Sequence, residues 1–135
     1  MSTRSSISVE LEDGTVKTIY CHYDGYPSHQ LTILQEHYNS YEDAIRIISL
    51  GDLSYLDKSL ECPEGHSWET PVKGYTIAYN RDRGEERKGP RTYPTFKAAM
   101  REMSQEYNYL FKNGEWVLAQ WDGNNYIGLQ MKGQL

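Results

Sequence analysis

Ile7, Val9 and Leu11 alternate with Ser8 and Glu10, and after Asp13-Gly14 a β-rich run resumes from Val16 to Tyr23. Period-two alternation around a residue pair that tolerates positive φ predicts a β-hairpin. Asp24-Gly25-Tyr26-Pro27 interrupts the strand, and Ser28 stands at a helix N-cap position ahead of Leu31, Leu34 and Tyr38 at helical spacing. Ser40 precedes Asp43 by three, a capping pattern, and the stripe Tyr41, Ala44, Ile45 and Ile48 predicts a second helix that stops before Gly51. From residue 51 to 73 the period fades, and Pro63, Gly65 and Pro71 punctuate a loop with a turn or two of helix around Leu53 and Leu56. Residues 75–79 read as a strand of the central sheet with Tyr75, Ile77 and Tyr79 on one face, and residues 81–91 as a polar loop. Phe96, Ala99, Met100 and Met103 mark a third helix capped by Thr95. Residues 107–111 and 115–121 flank Asn113-Gly114 as a second hairpin, and a turn at 122–125 leads to an edge strand over 126–131. The expected class is α+β: an antiparallel sheet of about five or six strands with two or three helices packed on one face. Residues 1–135 are expected to form a single globular domain.

Composition narrows the function classes. Twelve Tyr and three Trp against two Phe make most large rings amphipathic, suited to half-wet surfaces or ligand sites. The net charge of −5 disfavours a binder of long nucleic acid, whose footprint is basic. Its distribution is uneven, however. Residues 1–80 hold 5 basic and 12 acidic groups, whereas residues 81–101 hold 7 basic and 3 acidic, so an anion-binding surface should draw on the latter. No apolar run approaches the ~18 residues of a membrane span, and the N-terminus lacks a signal-peptide pattern, so a cytosolic protein without membrane partners is expected. Cys21 and Cys62 then read as reduced thiols.

Four constellations bear on chemistry. Cys21-His22 with Cys62 and His66 has zinc-ligand types, but adjacent strand residues point to opposite faces, so a metal or other cofactor is not expected. No set of nucleophile, base and orienting group closes around either cysteine or any serine, which points away from catalysis. The segment Tyr79-Asn80-Arg81-Asp82-Arg83-Gly84-Glu85 places two guanidinium groups two residues apart, where they can flank one anion, with Asp82 and Glu85 to orient them or accept a ribose hydroxyl. The strand-to-helix junction from Cys21 to His29 adds Tyr23 and Tyr26 for stacking, the Asp24 carboxylate, and helix-start amides near Ser28 for an anion. With Arg4, the candidate ligand-binding residues are Arg4, Tyr23, Asp24, Tyr26, Ser28, Tyr79, Arg81, Asp82 and Arg83.

Thr3-Arg4-Ser5, Asp13-Gly14-Thr15-Val16-Lys17, the run Tyr20-Cys21-His22-Tyr23-Asp24-Gly25-Tyr26-Pro27-Ser28, Arg81-Asp82-Arg83-Gly84-Glu85 and Glu106-Tyr107-Asn108-Tyr109-Leu110-Phe111 together resemble a family of small proteins carried by bacteriophages and mobile elements. The resemblance spans nearly the whole chain and is most specific at Asp24-Gly25-Tyr26-Pro27-Ser28. Tyr23 replaces a frequent tryptophan, and Asn80 a glycine that often precedes the arginine pair. The resemblance implies a phage setting in the host cytoplasm and carries no mechanism.

Three functions follow as expectations. The leading one is a non-enzymatic phage accessory protein, directed at the host or its defences, that binds a small phosphate-bearing ligand such as a nucleotide immune signal. The second is an inhibitor of a host defence protein, using its acidic first half or a surface of Trp116, Trp121 and Tyr126. The third is a nucleotide- or nucleic-acid-processing enzyme with Asp24, His22 or His29 as acid or base. A homo-oligomer with sites at subunit boundaries accords with the first.

Overall fold

The alternation at the N-terminus folds as expected into β1 (Ser5–Glu10) and β2 (Val16–Tyr23), antiparallel, with Ile7 opposite Ile19 and Ser6 opposite Tyr20. Asp13 secures the turn by accepting from the backbone N and hydroxyl of Thr15, which holds its carboxyl below the usual range. The computed structural model describes residues 2–87, 89–121 and 126–129. After the hairpin come α1 (Gln30–His37), α2 (Tyr41–Ser49), β3 (Leu53–Tyr55), β4 (Ile77–Ala78), α3 (Tyr79–Arg83), β5 (Arg91–Tyr93), α4 (Phe96–Met103), β6 (Tyr107–Lys112), β7 (Glu115–Trp121) and β8 (Tyr126–Leu129). The expected turn at 122–125, residues 130–131 and the side chains of Trp121 and Tyr126 lie outside what is described.

The architecture is α+β, but the sheet is mixed rather than antiparallel. Its strands run in the order β4-β3-β2-β1-β6-β7-β8, with β5 paired to β2, and the β1–β6 and β2–β3 pairs are parallel. The second pair arises because α1 and α2 together form the crossover that a parallel neighbour requires. Leu53 and its neighbours, expected as helix, form β3; a three-residue strand is too short to display a period.

Helices cover both faces of the sheet, correcting the expected single layer. Ile7, Ile19 and Cys21 share one side of the central hairpin and pack with Leu31, Leu34, Ala44, Ile47 and Ile48 of α1 and α2. On the opposite side Val16 meets Ala99 and Met100 of α4. Ser6 and Ser8 lie on that side too, fully buried, with Ser6 Oγ donating to Asn108 Oδ1 at 2.7 Å and Ser8 sharing a 2.8 Å hydrogen bond with Thr18. Polar alternation normally marks a wet face, yet small hydroxyls that satisfy one another across strands can be buried and let a helix approach closely.

Local signals fare unevenly. Ser40 and Thr95 cap α2 and α4 as expected, accepting from Asp43 N and Ala98 N at 3.1 Å each. Ser28 does not cap α1: the helix begins two residues later behind His29, which makes no side-chain cap. Trp116, expected on a surface, is fully buried and donates Nε1–H to Tyr38 O at 2.9 Å; Tyr41, placed in an apolar stripe, is exposed. The expected central strand at 75–79 shrinks to β4 at the edge, because the Asp82 carboxylate accepts Ala78 N–H at 2.7 Å and turns the chain into α3. Tyr79 consequently sits on a helix, and residues 81–91 are helix at one end and strand at the other. Among the described residues, no helix is long and apolar enough to cross a membrane.

Candidate ligand-binding site

The two arginines of the Arg81-Asp82-Arg83 run do not flank a common anion. Arg81 Nε and Nη2 each donate to the Asp82 carboxylate at 2.9 Å, Nη2 also reaches Thr76 O at 3.2 Å, and Nη1 donates to Leu60 O. The Asp82 side chain is fully buried, and although burial raises its pKa, the bonds from Arg81, Ala78 N and Cys62 outweigh this and hold the carboxyl below its usual range. Arg81 and Asp82 are therefore internal struts that tie the 60–76 loop to α3. His66 reinforces that loop: Val72 N–H donates to Nδ1 at 2.9 Å, which leaves the ring proton on Nε2 to donate to Thr76 O at 3.0 Å. Trp68 N–H reaches Asp82 O at 3.4 Å, so the strut also sets the position of Trp68.

Arg83, two residues on, is exposed to a similar degree, 24% against 28% for Arg81, but has different partners. Its guanidinium carbon lies 4.8 Å from the Trp68 ring centroid and 4.9 Å from that of Tyr79, within cation–π range. It pairs with the exposed Glu85 at 2.5 Å, and Nη1 reaches Ser54 Oγ at 3.5 Å. Beside it opens a cavity of about 380 Å³ lined by Tyr23, Asp24, Ser54, Tyr55, Trp68, Ile77 and Arg83. The cavity forms where the carboxyl ends of parallel β2 and β3 lie side by side, with Tyr23 in register with Tyr55 and Tyr55 with Ile77. Tyr23 and Trp68 are 43% and 48% exposed, large rings held open to solvent at the rim of one concavity. Burial pushes the Tyr55 hydroxyl well above its ordinary pKa, with Asp57 adding to the shift, so the phenol is a neutral donor.

A cationic face continues from this cavity. Asp52, almost fully buried, accepts from Arg87 Nη2 at 2.9 Å, Arg91 Nη1 at 3.4 Å and the backbone N of Tyr20 at 2.9 Å. Arg87 lies 4.4 Å from the Tyr79 centroid and 5.9 Å from that of Tyr20. Tyr79 is only 6% exposed, so its contribution is a ring that guanidinium groups rest on rather than an open stacking platform.

Of the nine sequence candidates, Tyr23, Asp24 and Arg83 meet at the cavity, Tyr79 supports Arg83 from beneath, and Arg4 is exposed beside β2. Arg81 and Asp82 belong to the strut. Tyr26 and Ser28 are exposed but do not line the cavity. No anion site forms before α1, since the amides of His29 and Gln30 are both taken by Tyr26 O. Asp24 adopts φ 54° and Gly25 follows against β1, where a Cβ would lie 2.6 Å from Ser5 Cβ; this close approach explains the glycine and aims Asp24 at the cavity.

Ser54, Tyr55, Trp68, Asp52 and Arg87 were not among the sequence candidates. Trp68 alone carried a local signal, a large ring between Ser67 and Glu69 in a segment without apolar periodicity. Cys21 is buried in the core, its thiol pushed up to about 12, while His22 lies on the other face of β2, as strand alternation requires. A larger depression of about 760 Å³ beside α4, bounded by Met100, Arg101, Asn108 and Gln120, is lined by no aromatic ring among the described residues. No family model, curated protein or solved structure matches the chain.

Proposed function

We propose that the protein is a non-enzymatic binder of a small phosphate-bearing ligand of nucleotide type, acting on a host signal in the phage setting that its sequence resemblance implies. The observation that carries this reading is the convergence of Tyr23, Trp68, Asp24 and Arg83 on one cavity. Its volume, about 380 Å³, is in the range of small-ligand pockets. Each part of a nucleotide has a counterpart: the open rings of Trp68 and Tyr23 for a base, the Asp24 carboxylate for a ribose hydroxyl or base amino group, and the Arg83 guanidinium for phosphate. Glu85 is exposed and able to yield Arg83 to a more highly charged anion. Among the described residues, Ser54 is the only hydroxyl in the lining outside the phenols, and it contacts Arg83 rather than a base, which favours holding a ligand over attacking it.

Calorimetry against linear and cyclic nucleotides tests the reading, with quenching of Trp68 fluorescence as a second readout. At least one nucleotide is expected to bind with micromolar affinity or better and to be recovered chemically unchanged. Absence of heat and of quenching across the panel overturns the proposal; conversion of the ligand replaces it with the enzymatic reading. A protein-blocking role through Trp116 receives no support from its burial.

A further inference from the structure

We propose that Arg4, Arg83 and Arg87 surround His22 as a subsite for a phosphate group bearing two negative charges, and that filling it moves a proton from solvent onto the His22 ring. The proposal rests on the nucleotide reading of the adjacent cavity and specifies the ligand further: a nucleotide whose phosphate portion carries at least two charges within reach of β2.

Three independent placements bring the arginines together. The antiparallel register pairs Ser5 with Cys21, so extending it by one residue sets Arg4 across from His22. On the other flank, Cys21 and Tyr23 pair with Leu53 and Tyr55, which puts Ser54 beside His22, and Arg83 Nη1 reaches Ser54 Oγ. Along β2, Tyr20 projects to the same face as His22, and Arg87 stands over the Tyr20 ring. The Tyr20 hydroxyl lies 2.6 Å from His22 Nδ1, and Tyr23 packs edge-on against the imidazole at 4.5 Å.

The charge balance favours a dianion. Arg4, Arg83 and Arg87 contribute three positive charges; Asp52 stays with the Arg87–Arg91 pair, and once the exposed Glu85 yields Arg83 the three guanidinium groups face that one carboxylate, leaving +2. Among the described residues, the Arg4 guanidinium has no hydrogen bond or ion pair. His22 feels this field: burial first, then Arg4, Arg83 and Arg87, lower its pKa, so the ring is neutral in the empty site. The titratable or charged groups facing it are Arg4 from the N-terminal segment, Tyr20 and Tyr23 from β2, Arg83 from α3 and Arg87 from the following loop.

An anion seated among the guanidinium groups cancels their repulsion of the imidazolium and raises the His22 pKa. The proton added is accommodated locally, because the Tyr20 hydroxyl can either donate to Nδ1 or accept from it. For a ligand whose own charge is held fixed, affinity must then increase as pH falls through the His22 pKa of the bound state, and level off below that of the empty site; protonation of the phosphate itself, with a second pKa of about 6, acts in the opposite direction.

Inorganic pyrophosphate is the probe, since it tests the subsite without a base. Its saturation is expected to raise the His22 pKa by about one unit or more, read from the ring resonances between about pH 5 and 8. Heats measured in buffers of different ionisation enthalpy should report proton exchange, and His22→Gln should remove the uptake due to the imidazole, leaving only the ligand's own contribution. Arg4→Gln removes a guanidinium without a partner among the described residues, so the fold survives, and pyrophosphate binding should weaken roughly tenfold. A His22 titration unmoved by pyrophosphate, or wild-type affinity in Arg4→Gln, overturns the proposal. Trp68→Ala separates the two readings: it should impair nucleotide binding far more than pyrophosphate binding, since Tyr79 still supports Arg83, and a pyrophosphate response without any nucleotide binding would overturn the cavity reading alone.

Discussion

Arg81 and Arg83 stand two residues apart in the same short helix and do opposite work. Arg81 is spent internally, on the buried Asp82 carboxylate and on the carbonyls of Leu60 and Thr76. Arg83 rests on aromatic rings and keeps one exposed carboxylate as its partner. The difference lies in what faces each guanidinium. A buried acceptor set immobilises a cation and makes it structural, whereas a platform of rings orients a cation while leaving its hydrogen-bonding edge available for exchange.

The strongest way to break this contrast is at the strut. Asp82→Asn leaves Arg81 without its ion-pair partner and weakens the acceptor for Ala78 N, so unfolding in urea should show a loss of about 3 kcal/mol or more. The backbone carbonyl of residue 82 that accepts from Trp68 N should shift with α3 once the strut is weakened, and ligand affinity should fall as an indirect consequence. On the other side, Arg83→Gln should reduce nucleotide affinity roughly tenfold, or about 1.4 kcal/mol, while changing stability by no more than about 0.5 kcal/mol. A variant of Arg83 that unfolds, or one that binds normally, would erase the distinction. Trp68→Ala should lower nucleotide affinity by about 1–3 kcal/mol with little change in melting temperature, measured by calorimetry and circular dichroism.

Acidification gives a smaller and graded test. Because the Asp82 pKa in the folded protein lies below its unfolded value of about 3.9, its stabilising contribution is complete above that value and disappears as pH falls through the folded pKa. Urea midpoints measured down this range should decline in the wild type, and the part due to Asp82 should be missing from Asp82→Asn. Smallest of all, Glu85→Gln should leave stability unchanged and tighten anion binding a few-fold, since it removes the competitor for Arg83.

The parts of the fold legible in the sequence were those encoded over short spans. Ile7 and Val9 alternating into Asp13-Gly14, the Ser40 and Thr95 caps, and the Asn113-Gly114 turn all act between residues close along the chain. The parallel placement of β3, the position of α4 on the second face and the edge location of β4 depend on partners far along the chain. The site divides in the same way. Tyr23, Asp24 and Arg83 were visible as polar and aromatic groups at element boundaries, but nothing near Arg81 in sequence announces the Leu60 and Thr76 carbonyls that occupy it, and nothing near Asp52 announces Arg87 and Arg91.

By itself the sequence determined which residues could carry charge and stacking chemistry and which segments became hairpins and capped helices. Only the tertiary structure decided which of those groups remained available to a ligand. The physical reason is that a guanidinium group has the same chemistry at positions 81 and 83, and its role depends on whether folding supplies it with buried acceptors or leaves it at an open ring. Tyrosines obey the same rule: Tyr109 is buried with its hydroxyl donating to Gly25 O, Tyr79 is covered by two arginines, and Tyr23 alone of these three lies open at the mouth of a cavity.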